Sequence, residues 1–211
     1  MKKIASILLV ILGISSAFAQ YEKKQYIHKH LVRADASIVF GNMYKHDFKN
    51  VYVNGNLEYY LDNVLSIRGD CNYSLGSTGL TSDSIGLKDN HSILLGTVFH
   101  FPTKGHFDPY FILQPGIAYT SSFMQKNPVP MLKDTGVKDV NYPGVLSPIG
   151  TAGLGFNYYF QRFAHLFFET RYVYGQHLSQ APEPLSLEEV RITFGLGFNL
   201  FIIKEKKIPT S

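Results

Sequence analysis

The sequence predicts an all-β fold: an eight-stranded antiparallel up-and-down transmembrane β-barrel with a polar interior and an apolar, lipid-facing exterior. Three observations predict it. Apolar and polar residues alternate over eight segments, charged residues keep to one parity within those segments, and the connections alternate between short and long. Alternation indicates strands, because successive side chains of a strand point to opposite faces. Short turns on one side and long loops on the other are typical of membrane barrels.

The N-terminal residues predict export. Two lysines precede an apolar run over residues 4–14, and small residues flank Phe18 just before Gln20. The run is too short to cross a bilayer core of about 30 Å. We therefore interpret residues 1–19 as a cleaved secretory signal peptide rather than a membrane anchor.

The mature chain is expected to form one domain. The barrel should occupy residues 32–201, after a periplasmic N-terminal segment at 20–31 and before a periplasmic tail at 202–211. Cys71 is the only cysteine, so an internal disulfide is excluded. The formal charge of +4 falls to about +2 once the signal is removed, which gives no electrostatic case for nucleic acid. No cofactor and no metal site are expected.

Eight strands account for the alternating segments. They are expected at residues 32–43, 51–61, 64–75, 91–101, 109–121, 149–160, 165–177 and 188–201. These lengths suit tilted strands that cross a bilayer in about 9 to 11 residues. The segment 122–148 carries four prolines and several charges, so we expect a solvent-exposed loop there without further strands.

Alternation alone leaves open which face is buried, because a soluble barrel of the lipocalin type would expose its charged face to water. The apolar parity, however, carries more large side chains than the narrow interior of an eight-stranded barrel can hold. The polar parity is rich in glycine, which leaves room for long side chains in a lumen. These glycines are Gly41, Gly96, Gly116, Gly153, Gly155, Gly175, Gly195 and Gly197.

Aromatic residues gather in two bands, as expected at two membrane interfaces. Near the short turns are Tyr59, Tyr60, Phe99, Phe101, Phe107, Phe111, Tyr158, Phe160, Phe163, Phe168, Phe198 and Phe201. Near the long loops are Tyr44, Tyr52, Tyr73, Tyr119, Phe123, Tyr172 and Tyr174. The bands and the glycines together favour the charged face as the interior.

Four arginines and four acidic residues then share the lumen: Arg33, Asp35, Glu58, Arg68, Asp70, Glu169, Arg171 and Arg191. An unpaired charge there would cost several kcal/mol, so we expect interior ion pairs and a closed lumen. Arg68, Asp70, Glu169 and Arg171 should lie at similar depth, but the sequence leaves open which acid meets which arginine. A small passive channel is an alternative, although wide aqueous lumens belong to barrels of about 16 strands.

The chain resembles the small eight-stranded outer-membrane barrels, the family of OmpX and of the OmpA barrel domain. The resemblance covers nearly the whole mature chain and rests on pattern. In the last strand, Gly195, Phe198 and Leu200 resemble the signal read by the barrel-assembly machinery. The tail at 202–211 departs from the family, because many members end at the terminal aromatic residue.

The resemblance implies a non-enzymatic, monomeric protein of the outer membrane of a Gram-negative bacterium. Its extracellular loops would serve surface interaction or envelope integrity. Its partners would be outer-membrane lipids and lipopolysaccharide, with the barrel-assembly machinery acting during biogenesis. Lysines expected on the long-loop side, near lipopolysaccharide phosphates, are Lys45, Lys49, Lys88, Lys126, Lys133 and Lys138.

One candidate for catalysis is an alternative. His177 and Ser179, with Glu189 across the last loop, loosely resemble the His-x-Ser pair and acidic partner of outer-membrane lipid A deacylases. In such a site the histidine would act as base for the serine. However, Gln180 does not supply the asparagine that this family carries after its serine. Parity also points His177 and Ser179 into the lumen, away from lipid.

Overall fold

The computed structural model describes residues 26–81, 85–103, 105–124, 140–178 and 185–201. Within these ranges the chain forms strands joined by turns and loops. The strands are β1 (Val32–Met43), β2 (Phe48–Tyr60), β3 (Leu65–Thr78), β4 (Ile85–His100), β5 (Phe107–Met124), β6 (Val140–Asn141), β7 (Val145–Tyr159), β8 (Ala164–Gly175) and β9 (Glu189–Phe201). The predicted signal peptide, residues 20–25 and the predicted tail lie outside the described residues. The described residues include no helix long and apolar enough to cross a membrane.

The strands close into a barrel in which every pairing is antiparallel. Around the wall the order is β4, β3, β2, β1, β9, β8, β7, β5, and β5 pairs back to β4. The first and last strands pair from Asn42 and Val190 to Val32 and Phe201, with one register shift between Val32 and Arg33, so the wall has no free edge. The short β6 only pairs with the end of β5. The predicted fold, a closed eight-stranded antiparallel barrel, is confirmed.

The connections define two ends of the barrel, which we call the short-turn end and the long-loop end. At the short-turn end, the carboxylate of Asp62 accepts hydrogen bonds from the backbone N–H groups of Val64 and Leu65, both at 2.7 Å. These two bonds lower the pKa of Asp62, because they favour its ionised form. This turn, which bonds a side chain to its own backbone, starts β3 in the correct register.

Several strands extend further toward the long-loop end than the sequence predicts. β4 begins at Ile85 and β7 begins at Val145, whereas the alternation places their starts at 91 and 149. The expectation that segment 122–148 contains no further strand is wrong, because it holds β6 and the start of β7. These extensions satisfy their backbone hydrogen bonds with neighbouring strands but carry no long apolar face, so alternation does not mark them.

The apolar parity faces outward and the charged parity faces inward. Ile93 and Phe194 each expose 59% of their surface, whereas Arg68 and Glu169 expose none. Two members of the predicted aromatic bands are exceptions, since Tyr52 and Tyr60 are buried inside the barrel. Both share the inward parity of Glu58 on β2, and parity decides the direction of a side chain in a strand.

The interior is polar over most of its depth but apolar at the long-loop end. A buried cluster there, which we call the apolar plug, comprises Met43, Phe48, Ile85, Leu87, Leu94, Ala118, Ile149, Val173, Leu185 and Leu187. Two members come from the connection between β8 and β9, which folds back so that Leu187 N–H bonds Gly175 and His177 N–H bonds Leu185. Burying Leu185 and Leu187 stabilises this arrangement by about 1.5–3 kcal/mol each.

Candidate functional site

The middle of the lumen holds four charged side chains that join opposite walls of the barrel. Arg68 and Asp70 project from β3, and Glu169 and Arg171 project from β8, with three strands between β3 and β8 in either direction. Across the lumen, Arg68 Nη1 lies 3.1 Å from Glu169 Oε2, and Arg171 Nη2 lies 3.0 Å from Asp70 Oδ1. Pairs within each strand, Arg68 with Asp70 and Arg171 with Glu169, complete the set. We call these four residues the mid-lumen ring.

Two residues of β5 satisfy the remaining polar atoms of the ring. Gln114 donates to Asp70 Oδ2 at 2.6 Å and accepts from Arg171 Nη1 at 2.7 Å. The hydroxyl of Tyr110 donates to Glu169 Oε2 at 2.9 Å. Buried charges are tolerated only when they are paired and hydrogen-bonded, and every member of the ring meets that condition.

A second group of buried charges, which we call the short-turn cluster, lies between the mid-lumen ring and the short-turn end. Arg33 donates to Glu58 Oε2 at 2.5 Å. His100 lies between two carboxylates, with Nε2 2.8 Å from Glu58 and Nδ1 3.0 Å from Asp108. A neutral imidazole has one N–H and can donate to only one of them, so the geometry fits an imidazolium that donates from both nitrogens. Asp35 completes the cluster, 3.3 Å from His165 and 3.6 Å from Arg33.

A third group of buried charges, the ion pair of Arg191 and Glu189, lies between the mid-lumen ring and the apolar plug. Arg191 Nε lies 2.6 Å from Glu189 Oε2, and the Arg191 guanidinium stacks 4.4 Å from the centroid of the Tyr52 ring. The Glu189 carboxylate also accepts from Asn50 at 2.6 Å and from Tyr52 at 2.9 Å. Gly41 makes room for it, since a Cβ at that position would overlap the carboxylate.

The free space between the ring and this third pair is small. A cavity of about 10 Å³ lies among Val39, Arg171 and Arg191. That volume is at the lower limit for a single water molecule. This cavity therefore has room for about one water molecule.

Four residues connect three chain segments on the outer surface at the long-loop end. The carboxylate of Glu188 accepts from Lys45 at 2.5 Å, from Tyr172 at 2.7 Å and from Tyr44 at 2.8 Å. We call this group the rim tether. The hydrogen bond from Lys45, followed by those from the tyrosines, lowers the pKa of Glu188 to about 2. The same contact with Glu188 raises the pKa of Lys45.

No protein-family model and no curated protein matches this sequence. Solved structures do match. The outer membrane protein OprG from Pseudomonas aeruginosa aligns with a TM-score of 0.56 at 13% identity, covering 85% of this chain and 100% of that one. Neisserial surface protein A aligns with a TM-score of 0.51 at 16% identity, covering 81% of this chain and 96% of that one.

The N-terminal β-barrel domain of Pseudomonas aeruginosa OprF aligns with a TM-score of 0.50 at 16% identity, covering 82% of this chain and 100% of that domain. This chain has the fold of the small outer-membrane β-barrels. The predicted resemblance to that class is thus confirmed for the fold. At identities this low, the likeness of these outer-membrane barrels carries no residue roles across.

All eight predicted lumen charges lie inside the outer-membrane barrel fold, and each has an ion-pair partner. Sequence reasoning missed four interior residues that complete the pairing, namely His100, Asp108, His165 and Glu189 as a partner of Arg191. The signal was available, because each shares parity with an inward residue of its own strand. His100 is in phase with Gly96, and His165 is in phase with Glu169.

Of the three proposed hydrolase residues, the structure describes His177 and Glu189. His177 exposes 2% of its surface, and its Nδ1 lies 2.5 Å from the hydroxyl of Thr120. Glu189 is paired with Arg191. Ser179 lies outside the described residues. Within the described ranges, no three His, Cys, Asp or Glu side chains are arranged to hold a metal ion.

The remaining predicted residues lie as follows. In β9, Phe198 and Leu200 face outward, while Gly195 faces inward beside Phe167 and Ser37. Among the lysines, Lys45, Lys49 and Lys88 are exposed at the long-loop end. Lys126, Lys133 and Lys138 lie outside the described residues.

Proposed function

We propose that this chain is an integral protein of the outer membrane of a Gram-negative bacterium, a monomeric barrel with a closed lumen. The long-loop end faces outside and serves surface interaction or envelope integrity. The observation that carries the proposal is the inverted distribution of side chains. Leu95 exposes 61% of its surface and Leu113 exposes 51%, while Arg68 and Arg33 expose none.

A soluble barrel fits this distribution poorly. In water, a continuous outer belt of leucine, isoleucine and phenylalanine would form an apolar patch far larger than soluble monomers carry. In a bilayer the same belt contacts lipid, and barrel closure satisfies the backbone groups that lipid cannot. The ion pairs of the interior are then shielded from lipid by the wall.

Two layers support a closed lumen. The mid-lumen ring fills the centre, and the apolar plug covers the long-loop end. An ion crossing the barrel would have to displace paired charges and then enter an apolar layer, and each step is unfavourable. A passive channel therefore has less support than a closed barrel.

The long-loop end supports a role at the lipid surface. Lys45, Lys49 and Lys88 are exposed there, at the same end of the barrel as the aromatic band near the long loops. Each basic residue near an anionic lipid surface contributes about 1 kcal/mol to binding. We propose that these lysines contact phosphate groups of outer-leaflet glycolipids, and that Gly195, Phe198 and Leu200 guide insertion by the barrel-assembly machinery.

The test combines fractionation with heat modifiability. The protein should be found in the outer-membrane fraction, and the purified barrel should migrate differently in a denaturing gel before and after boiling. The proposal would be contradicted if the protein were recovered in the soluble fraction and its gel migration were unchanged by boiling. Reconstitution in a planar bilayer, with a large porin as positive control, should show no stepped conductance, and regular unit steps would overturn the closed lumen.

A further inference from the structure

An open groove of about 610 Å³ lies on the outer wall at the long-loop end. It lies beside the rim tether, which contributes Lys45 and Glu188 to its edge. The rest of the lining comes from β7, from β8 and from the connection to β9, and it includes Pro148, Gly150, Tyr174 and Leu178.

The groove forms where the pairing between β7 and β8 ends. The ladder between β7 and β8 ends where Ile149 pairs with Gly175. Beyond it, Gln176 bridges to Ser186 instead, so the chain turns away from β7. Gly150 adds to the opening, since a Cβ there would meet no atom within 4 Å.

The lining of the groove includes exposed apolar and aromatic side chains. Tyr174 exposes 66% of its surface and Leu178 exposes 58%, and Pro148 is also exposed. Tyr174 belongs to the aromatic band near the long loops, and interfacial tyrosines lie at the level of the lipid head groups. The groove is therefore continuous with the lipid-facing belt, and an acyl chain of the adjoining leaflet can enter it from the side.

The edge of the groove carries a cation with open donor positions. An ammonium group has three N–H donors, and within the described residues Lys45 donates only to Glu188. The Lys45 side chain remains 48% exposed, whereas the Glu188 side chain is 12% exposed and already accepts three hydrogen bonds. The group presented to a ligand is thus the ammonium rather than the carboxylate.

We propose that this groove binds one phosphate-bearing glycolipid of the outer leaflet, with an acyl chain along Tyr174, Pro148 and Leu178 and a phosphate at Lys45. The inference rests on the proposed outer-membrane location and deepens it by naming a partner and a site. An apolar channel open to lipid matches the chain, and a half-exposed ammonium at head-group level matches the anion.

The test measures lipid A retained by the purified full-length protein. The barrel is reconstituted in phosphatidylcholine nanodiscs with a low fraction of lipid A, and bound lipid is counted by native mass spectrometry. Lys45→Met removes the cation and keeps an apolar stem, and Gly150→Phe fills the groove without removing a side chain. Lys29→Met is the matched control, because it removes an exposed lysine at the short-turn end that does not line the groove.

The wild type and Lys29→Met should each retain one lipid A. Lys45→Met should bind about fivefold more weakly, and Gly150→Phe should lose binding. The wild type should bind dephosphorylated lipid A about as weakly as Lys45→Met binds lipid A. Inorganic phosphate should not displace the lipid from the wild type. The inference would be overturned if inorganic phosphate displaced lipid A. It would also be overturned if either Lys45→Met or Gly150→Phe retained as much lipid A as the wild type.

Heat modifiability of every variant separates the two proposals. A wild type that is not heat-modifiable contradicts the outer-membrane barrel itself. A wild type that is heat-modifiable but retains no lipid A above the phosphatidylcholine background contradicts only the lipid site. Variants that remain heat-modifiable show that any loss of lipid arises at the groove and not from unfolding.

Discussion

Arg68 of β3 and Glu169 of β8 are separated by 101 residues in the chain and meet across the lumen at 3.1 Å. Neither side chain is exposed to solvent. The pair therefore joins opposite walls of the barrel rather than neighbouring strands, and its loss should affect the whole molecule.

Replacement of Arg68 by Met should lower the free energy of unfolding by about 3–5 kcal/mol, because two buried carboxylates, Asp70 and Glu169, would then share the single charge of Arg171. The double variant Arg68→Met, Glu169→Met should be more stable than the sum of the single losses predicts, since Asp70 and Arg171 remain paired. Urea unfolding in lipid vesicles, followed by circular dichroism, measures both. Lys88→Met is the control, and a loss below about 1 kcal/mol for Arg68→Met would contradict the role of the ring.

Arginine substitutions at two exposed residues should distinguish a membrane-embedded barrel from a soluble one. Ile93 exposes 59% of its surface in the outer belt, and Leu178 exposes 58% beyond the end of β8. In a bilayer, Ile93→Arg should cost about 2–4 kcal/mol, and Leu178→Arg should cost about 0–1 kcal/mol. The same unfolding measurement checks both variants. Equal and negligible losses would mean that the belt does not contact lipid.

Two glycines of β7 should respond differently to a methyl group. A Cβ at Gly153 would lie 2.5 Å from the carbonyl oxygen of Thr170 and 2.7 Å from Arg171 Cγ. Gly153→Ala should therefore destabilise the barrel by about 1–3 kcal/mol through overpacking. Gly150→Ala, on the outer face of the same strand, meets no atom within 4 Å and should leave stability unchanged or raise it. A loss of the same size in both variants would show that space in the lumen is not the cause.

The rim tether should contribute stability that depends on pH. The pKa of Glu188 is about 2 in the folded protein and 4.5 when unperturbed, so its contribution is present above pH 4.5 and is lost as the pH falls toward 2. The melting temperature of Glu188→Gln should be slightly lower than that of the wild type at neutral pH, with the difference vanishing near pH 2. Tyr172→Phe removes one donor and should move this transition to higher pH. A difference that is independent of pH would contradict the tether.

The sequence predicts those features of the barrel that depend on local backbone geometry, and it does not predict those that depend on long-range packing. Alternation and parity predict the strands and the direction of their side chains, because both depend on local backbone geometry. Arg68, Asp70, Glu169 and Arg171 were therefore predicted at similar depth, but their partners depend on the packing of side chains across the lumen.

Features formed by irregular backbone were not predicted. Leu185 and Leu187 reach the apolar plug through a connection that has no alternation of its own. β6 and the start of β7 lie among prolines and charges that resemble a loop. The contact between Tyr44 and Glu188 links residues 144 positions apart in the chain, and neither carries a motif that marks it.

The closure of the wall also constrains the order of events during folding. β1 pairs with β9, so the first strand finds its second neighbour only when the last strand has arrived. The contacts of the ring likewise join residues about half the chain apart. Such distant contacts must overcome a large loop-closure entropy, which slows folding. The interior charges are therefore expected to pair late, after most of the outer face has already contacted lipid, and to make unfolding slow rather than folding fast.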